Sequence, residues 1–377
     1  MAQAQGCVQG IIKSIVIVRK KDMPAHFSGE QGVCFPHSDF YQEMSKAGKR
    51  RASIMPLTGT GQALALAAAR RICKSPQQET IMLERFTEPA YRAPCHANDL
   101  LLRITQGCTW NRCHFCNMSR KHQFLSVTSE ELEEQLRYFA DAYPRNTPIW
   151  FVGANPLVLP TATLLAHIAL VRRYLPDFAA ITLQTRVADV LHKRLSDLQR
   201  LRAAGLSEIF LGVESGDDET LRFINKGQSA AQALAAMRKL NEAEIALVPM
   251  YIIGGGGKGT AERNAIGTAE LLNQVRCKII STTGLTVFPG APFWAMRERG
   301  ELTEMPEYEK VQELLAFVEH YTGESFLYCL HYLNPLHFTA SLPRDKAEIV
   351  ENLRCFLREH TPEEVEELVN RQEKASI

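Results

Sequence analysis

No apolar run in this sequence approaches the ~18 residues that a membrane-spanning helix requires, so no helical span is expected. The first residues, MAQAQGCVQG, lack a basic leader region, and the run Ile11–Val18 is broken by Lys13 and Ser14, so no secretion signal is expected either. An excess of one charge is also missing. There are 43 Lys and Arg against 42 Asp and Glu, for a net charge of +1 and a pI near 7.6, which is not the basic balance of a dedicated nucleic-acid binder. The one basic run, Lys46–Arg51 (KAGKRR), reads as a solvated face. Internal repeats and low-complexity tracts are absent. What is present is 377 residues, 45% of them hydrophobic, enough to bury a full core in one large domain with appendages or in two domains.

Most of the ten cysteines are scattered. Cys7, Cys34, Cys73, Cys95, Cys277, Cys329 and Cys355 lie outside any C-x2-C pair and read as ordinary thiols. A disulfide framework is not expected in a chain this long without a secretion signal, which points to a reducing cytoplasm. Thr105–Met118, TQGCTWNRCHFCNM, is the exception, with Cys108, Cys113 and Cys116 within nine residues. Three such thiolates make a soft, anionic site suited to zinc or to an iron–sulfur cluster. Structural zinc takes four ligands, and His114 or His122 could complete a Cys3His set. A cubane cluster held by three thiolates would instead leave one iron open to a substrate or cofactor.

From residue 99 onward apolar runs alternate with amphipathic segments. The expected strands are Leu100–Thr105, Pro148–Val152, Ala180–Gln184, Glu208–Val213, Ile245–Ile253 and Lys278–Val287. Helices are expected over Thr128–Ala142, opened by the capping box Thr128/Glu131, and over Thr161–Leu175, Lys193–Ala204, Ala230–Ala243 and Ala261–Val275. Parallel strands need crossovers, so this order predicts an α/β fold of (β/α)6 type, with chemistry at the C-terminal ends of the strands. The cysteine loop directly follows the first strand. Residues 1–98 form an N-terminal extension with helices around Phe40–Lys49 and Gly61–Lys74, and residues 291–377 a C-terminal α-rich extension closing the barrel, with a helix at Glu307–Tyr321 and a strand-like Ser325–His331.

The run Ile253-Gly254-Gly255-Gly256-Gly257-Lys258-Gly259 fails as a P-loop, because Ile252 stands where the first glycine belongs and Gly259 where Ser or Thr belongs. Gly254, Gly256 and Gly259 satisfy the dinucleotide fingerprint, yet no acid follows in Val275–Gly290, so the run reads as a turn near a ligand or a tight corner.

The cysteine loop, with Phe115 before Cys116, resembles the C-x3-C-x-aromatic-C motif of the radical S-adenosylmethionine (SAM) superfamily, departing from it by one residue in the first gap. Similar C-x4-C-x2-C loops occur in an unassigned branch of that superfamily. Gly153-Ala154-Asn155-Pro156 is similar to its glycine-rich turn. Leu211–Gly216, followed by Ile224–Gly227, resembles the G-[IV]-[EQ]-S segment and trailing cation of the coproporphyrinogen-oxidase-like and Elongator-subunit-like members. The resemblance spans about residues 99–290 and implies a partial (β/α)6 TIM-type barrel.

It further implies that Cys108, Cys113 and Cys116 hold a [4Fe–4S] cluster whose reduced form cleaves SAM to a 5′-deoxyadenosyl radical that abstracts hydrogen from a substrate. The methionine ammonium would meet the backbone of Gly153, Ala154 and Asn155, the ribose Gln184 and Glu214, the methionine carboxylate Lys226, and the adenine Tyr251 and Ile253; Phe115 would stand beside the cofactor. His331 and Asn334, similar to an H-x-x-N after the barrel of unassigned relatives, are candidate substrate contacts or a structural tie. A small-molecule substrate and a flavodoxin or ferredoxin electron donor are the expected partners, in the cytoplasm and without a membrane. The alternatives are an RNA-modifying radical SAM enzyme and a non-catalytic iron–sulfur or zinc protein.

Overall fold

A computed structural model describes residues 85–139, 143 and 146–369. The helices expected around Phe40–Lys49 and Gly61–Lys74 lie outside these residues. The first strand, β1 (Leu100–Arg103), is followed by the short β2 (Thr105–Gln106) and β3 (Leu125–Ser126). Helix α1 (Ser129–Phe139) opens with the expected box: Thr128 N–H donates to Glu131 Oε2 at 2.7 Å, and Glu131 N–H to Thr128 Oγ1 at 3.2 Å. Next come β4 (Ile149–Val152), α2 (Thr161–Tyr174), β5 (Ile181–Arg186), a short α3 (Val187–His192) and α4 (Leu195–Ala204). They are followed by β6 (Leu206–Glu214), α5 (Asp218–Phe223), α6 (Ala230–Glu242), β7 (Ala246–Ile253), α7 (Ala261–Leu272) and β8 (Ile279–Gly284). The chain continues through α8 (Pro292–Glu298), α9 (Glu307–His320), β9 (Ser325–Tyr328), β10 (Thr339–Leu342), α10 (Lys346–Glu359) and α11 (Pro362–Leu368).

The main sheet runs β1-β4-β5-β6-β7-β8-β9-β10, with every pair parallel except β9 and β10. The six expected strands are its first six, an α/β array in which β1 and β10 lie at the edges. The C-terminal segment does more than supply helices, since β9 and β10 extend the sheet. Thr339–Leu342 (TASL) is too short and too weakly apolar to announce a strand; its four residues become one by pairing with Ser325–Tyr328. No helix among the described residues is long and apolar enough to cross a membrane.

Alternation along the strands sorts two layers. Leu102, Phe151, Leu183, Leu211, Tyr251 and Ile253 turn outward and join the large core beneath the helices. Leu101, Trp150, Val152, Phe210 and Val248 turn inward, and Ala90, Ala93 and Cys95 pack on them. The segment just before β1 therefore lies along the inner face of the sheet. It ends in a 3-10 turn, Pro94–His96, at the N-terminal ends of the strands.

His96 seals that end. Its Nδ1 faces Asp99 Oδ2 at 2.6 Å and its Nε2 faces Glu208 Oε1 at 2.8 Å, while the ring lies 5.1 Å from Trp150 and 5.3 Å from Phe210. Burial alone would lower its pKa, but the two carboxylates override this and raise it from 6.5 to about 9. A raised pKa stabilises fully below the unfolded value and the stabilisation is lost as pH climbs through the folded one. Of the order of 3 kcal/mol is at stake for such a shift. The stability gap between the native protein and His96→Gln, followed by urea unfolding, should therefore be largest near pH 6 and close by pH 10. A gap independent of pH would show that the imidazolium contributes nothing.

Candidate functional site

At the opposite end of the sheet, β2 pairs antiparallel with β3, Thr105 opposite Ser126 and Gln106 opposite Leu125, and so pinches residues 107–124 into a closed loop. The loop holds Cys108, Cys113 and Cys116, all free and half-buried. Burial raises the thiol pKa of Cys113 to about 11, against the pull of nearby Lys226, and the Cys116 and Cys108 thiols push it further up. Burial likewise raises Cys116, with Cys108 adding to the effect. Each thiol thus lies within electrostatic reach of the others.

Backbone ties hold the loop's shape. Arg120 donates Nε to the carbonyl of Cys116 at 3.1 Å and Nη2 to that of Cys113, gripping both ends of the C-x2-C turn. The longer first gap is docked on the residues after α5. Trp110 Nε1 donates to the Asn225 carbonyl at 2.9 Å, Asn225 Nδ2 to that of Arg112 at 3.0 Å, and His114 N–H to that of Ile224 at 2.8 Å.

The donor set is three soft thiols on one loop, which suits an iron–sulfur cluster. His114 gives its Nδ1 to the Phe223 carbonyl at 2.8 Å, and His122 Nδ1 faces Thr87 Oγ1 at 3.2 Å, so each has a partner other than the thiols. No three His, Cys, Asp or Glu side chains among the described residues converge closely enough to hold one metal ion. A cubane spreads its thiolates over separate irons and needs no such convergence. Elsewhere Cys95, Cys277 and Cys329 are free thiols.

Beside the loop, Glu214 ends β6 at φ 66° and Lys226 follows α5; both are 6% exposed, and Lys226 Nζ meets Glu214 Oε1 at 2.6 Å. A Cβ on Gly212 would stand 2.7 Å from that Nζ and 2.9 Å from the Glu214 carboxylate, so only glycine lets the pair lie across the strand. Burial would lower the Lys226 pKa, but Glu214 and Cys113 raise it above its ordinary value, keeping the ammonium charged.

Gly153 directly follows β4, where a Cβ would fall 2.0 Å from Thr105 Oγ1. Its carbonyl accepts from Gln184 Nε2 at 3.1 Å, while Ala154 is half-exposed. Asn155 is fully buried and its side chain is a brace: Nδ2 donates to Thr109 Oγ1 at 2.7 Å and to Asp189 Oδ2 at 3.1 Å, locking the loop to α3. Phe115 packs on a separate apolar cluster containing Ile224, Ile252, Leu285 and Phe293.

One expectation needs correction. Tyr251 and Ile253 do not face the site. Tyr251 donates its hydroxyl to Glu313 Oε1 on α9 at 2.6 Å, and both residues belong to the core beneath the helices. The period of two in a strand puts their neighbour Ile252 on the other face, in the cluster that Phe115 joins. Asn334 is 1% exposed and ties the chain after β9 to β8, donating Nδ2 to the Thr282 carbonyl at 3.0 Å and to Thr282 Oγ1 at 3.2 Å. It is a structural bolt. The glycine run after β7 is a corner whose amides are spent on the protein: Gly254 N–H on Glu313, Lys258 N–H on the Thr303 carbonyl and Gly259 N–H on Glu309.

Sequence reasoning missed Arg186, whose guanidinium lies 5.4 Å from the centre of the Trp110 ring and acts on the Lys226 charge. Extending the third strand by two residues would have put it on the face of Gln184. Tyr91, 38% exposed, was missed as well; burial raises its hydroxyl pKa, and Glu88 and Cys116 add to the shift. Tyr332, 45% exposed, is raised by burial and then by Tyr91, and His331 stacks on it at 4.7 Å.

Residues 102–272 match the radical SAM superfamily. No curated protein matches the chain. Among solved structures it is similar to the coproporphyrinogen III oxidase HemN of Escherichia coli, at 19% identity over 68% of this chain and 60% of that one, TM-score 0.45. It is similar to methylornithine synthase PylB at 16% identity over 79% and 77%, TM-score 0.44, and to the cobalamin-dependent SAM radical enzyme OxsB at 17% identity over 53% and 35%, TM-score 0.44. The chain thus spans about a third of the length of OxsB. The match of 102–272 begins inside β1, takes in the thiol loop and the Glu214–Lys226 pair, and ends with α7, so this part of the chain is a radical SAM domain.

Proposed function

We propose that this protein is a radical SAM enzyme, with residues 99–290 as its core, acting on a small-molecule substrate in the cytoplasm and reduced by a flavodoxin or ferredoxin. When bound, a reduced [4Fe–4S] cluster supplies the reductive cleavage of SAM to a 5′-deoxyadenosyl radical, the species that abstracts hydrogen from a substrate. The observation that carries the reading is three free thiols on one closed loop docked beside the buried Glu214–Lys226 pair.

The chain's own residues have distinct tasks in this proposal. Cys108, Cys113 and Cys116 are the cluster ligands. Lys226, charged in its buried setting, takes the methionine carboxylate, and Glu214 and Gln184 take the ribose hydroxyls. The backbone of Gly153 and Ala154 receives the ammonium, with Asn155 acting through its brace on Thr109. Phe115 and the apolar cluster around it exclude water beside the cofactor, where a radical would otherwise be quenched. On the substrate side the reading falls on His331, stacked on the exposed ring of Tyr332.

Anaerobically reconstituted, dithionite-reduced protein should release 5′-deoxyadenosine slowly from SAM without any substrate, as resolved by liquid chromatography. Methylthioadenosine in its place would mean that a different bond breaks and would overturn the proposed chemistry. His331→Ala should keep this uncoupled cleavage while losing turnover of a substrate; loss of the uncoupled cleavage itself would argue against a substrate-side role.

A further inference from the structure

Glu88 lies ahead of β1 and ahead of the superfamily match, in a stretch whose sequence shows no motif. It is 5% exposed. Its Oε2 accepts the N–H of Gly107 at 2.7 Å, and its Oε1 accepts the hydroxyl of Ser119, itself 2% exposed, at 2.6 Å. Gly107 immediately precedes Cys108, and Ser119 follows Cys116 by three residues. One carboxylate therefore holds the loop on both sides of its cysteines, at Gly107 and at Ser119.

We infer that Glu88 is a positioning residue of the cluster site, so that the segment before the barrel completes the loop that the cysteines occupy. This rests on the reading of that loop as a [4Fe–4S] site. The segment itself is held independently of the carboxylate. Arg103 Nη2 donates to the Glu88 carbonyl at 2.7 Å, and Gln106 Oε1 accepts the N–H groups of Thr87 at 2.9 Å and Glu88 at 3.2 Å. Deleting the side chain thus frees the loop stems while leaving the backbone stitched to β1 and β2. A buried amide N–H and a buried hydroxyl would then lose their shared acceptor.

Glu88→Ala and Glu88→Gln separate the roles, because glutamine can still accept from Gly107 and donate to the Ser119 oxygen. After anaerobic reconstitution, iron and sulfide per chain are counted and iron loss to a chelator is timed, with circular dichroism and melting followed in parallel. Partners that orient metal ligands commonly contribute about 10–100-fold to metal retention, so Glu88→Ala should lose iron about that much faster at a little-changed fold, and Glu88→Gln should stay near the native rate. Iron retention by Glu88→Ala equal to the native protein would overturn the inference while leaving the cluster reading intact. Native protein that takes up no iron and sulfide would overturn both. If Glu88→Ala does not fold, Ser119→Ala asks the same question by deleting one of the two bonds: faster iron loss supports the inference and an unchanged rate overturns it.

Discussion

Alanine at Cys108, Cys113 or Cys116 should each leave the anaerobically reconstituted protein without its brown chromophore, with iron falling from about four per chain to near zero. The three thiols share one loop, and each is one of the three cluster ligands of the proposal. Alanine at Cys329 is the matched control. That thiol is fully buried in the core beneath the helices and burial pushes it up to about 12, so it stays a protonated thiol, and its loss should leave the iron count unchanged. A full cluster in all three loop variants would end the assignment. Iron well above four per chain in the native protein would reveal a second site.

Neutralising one member of the Glu214–Lys226 pair should be the most destabilising single charge change near the site. Both side chains are almost wholly buried and meet at 2.6 Å, so Glu214→Gln strands an ammonium and Lys226→Met strands a carboxylate. Breaking one side of such a pair costs about 3–5 kcal/mol, because the remaining charge loses both solvent and partner, whereas replacing the pair together is often close to neutral. The double variant should therefore melt above either single one. All three should bind SAM more weakly in equilibrium dialysis while keeping the cluster, since neither residue supplies a thiolate. Unchanged SAM affinity in every variant would leave the pair as a purely structural feature of β6 and the turn after α5.

The elements that the sequence announces are those specified by neighbours in the chain. The Thr128/Glu131 box, the apolar stripe of α1, Gly205 after α4 and the alternation of apolar runs with amphipathic ones are short-range patterns, and strand and helix appear where they predict. The cysteine spacing belongs with them, because three ligands within nine residues must share a loop whatever surrounds them. Which face a strand residue shows is less secure. Assigning Tyr251 and Ile253 to the site in place of Ile252 is an error of one residue, and a period of two turns one residue into the opposite side of the sheet.

The supports of the site are of another kind. Glu88 to Gly107 and Ser119, Asn155 to Thr109, Trp110 to Asn225 and His96 to Glu208 join residues separated by 19 to 115 positions, and no local pattern marks either partner. A buried polar side chain looks in the sequence like any surface one. Its role is set by which donors and acceptors the sheet brings within about 3 Å, and the cost of leaving such a group unpaired ties it to that place. Chemistry-bearing residue types and their spacing were thus readable along the chain, while the bonds that hold them in position exist only once distant segments have met.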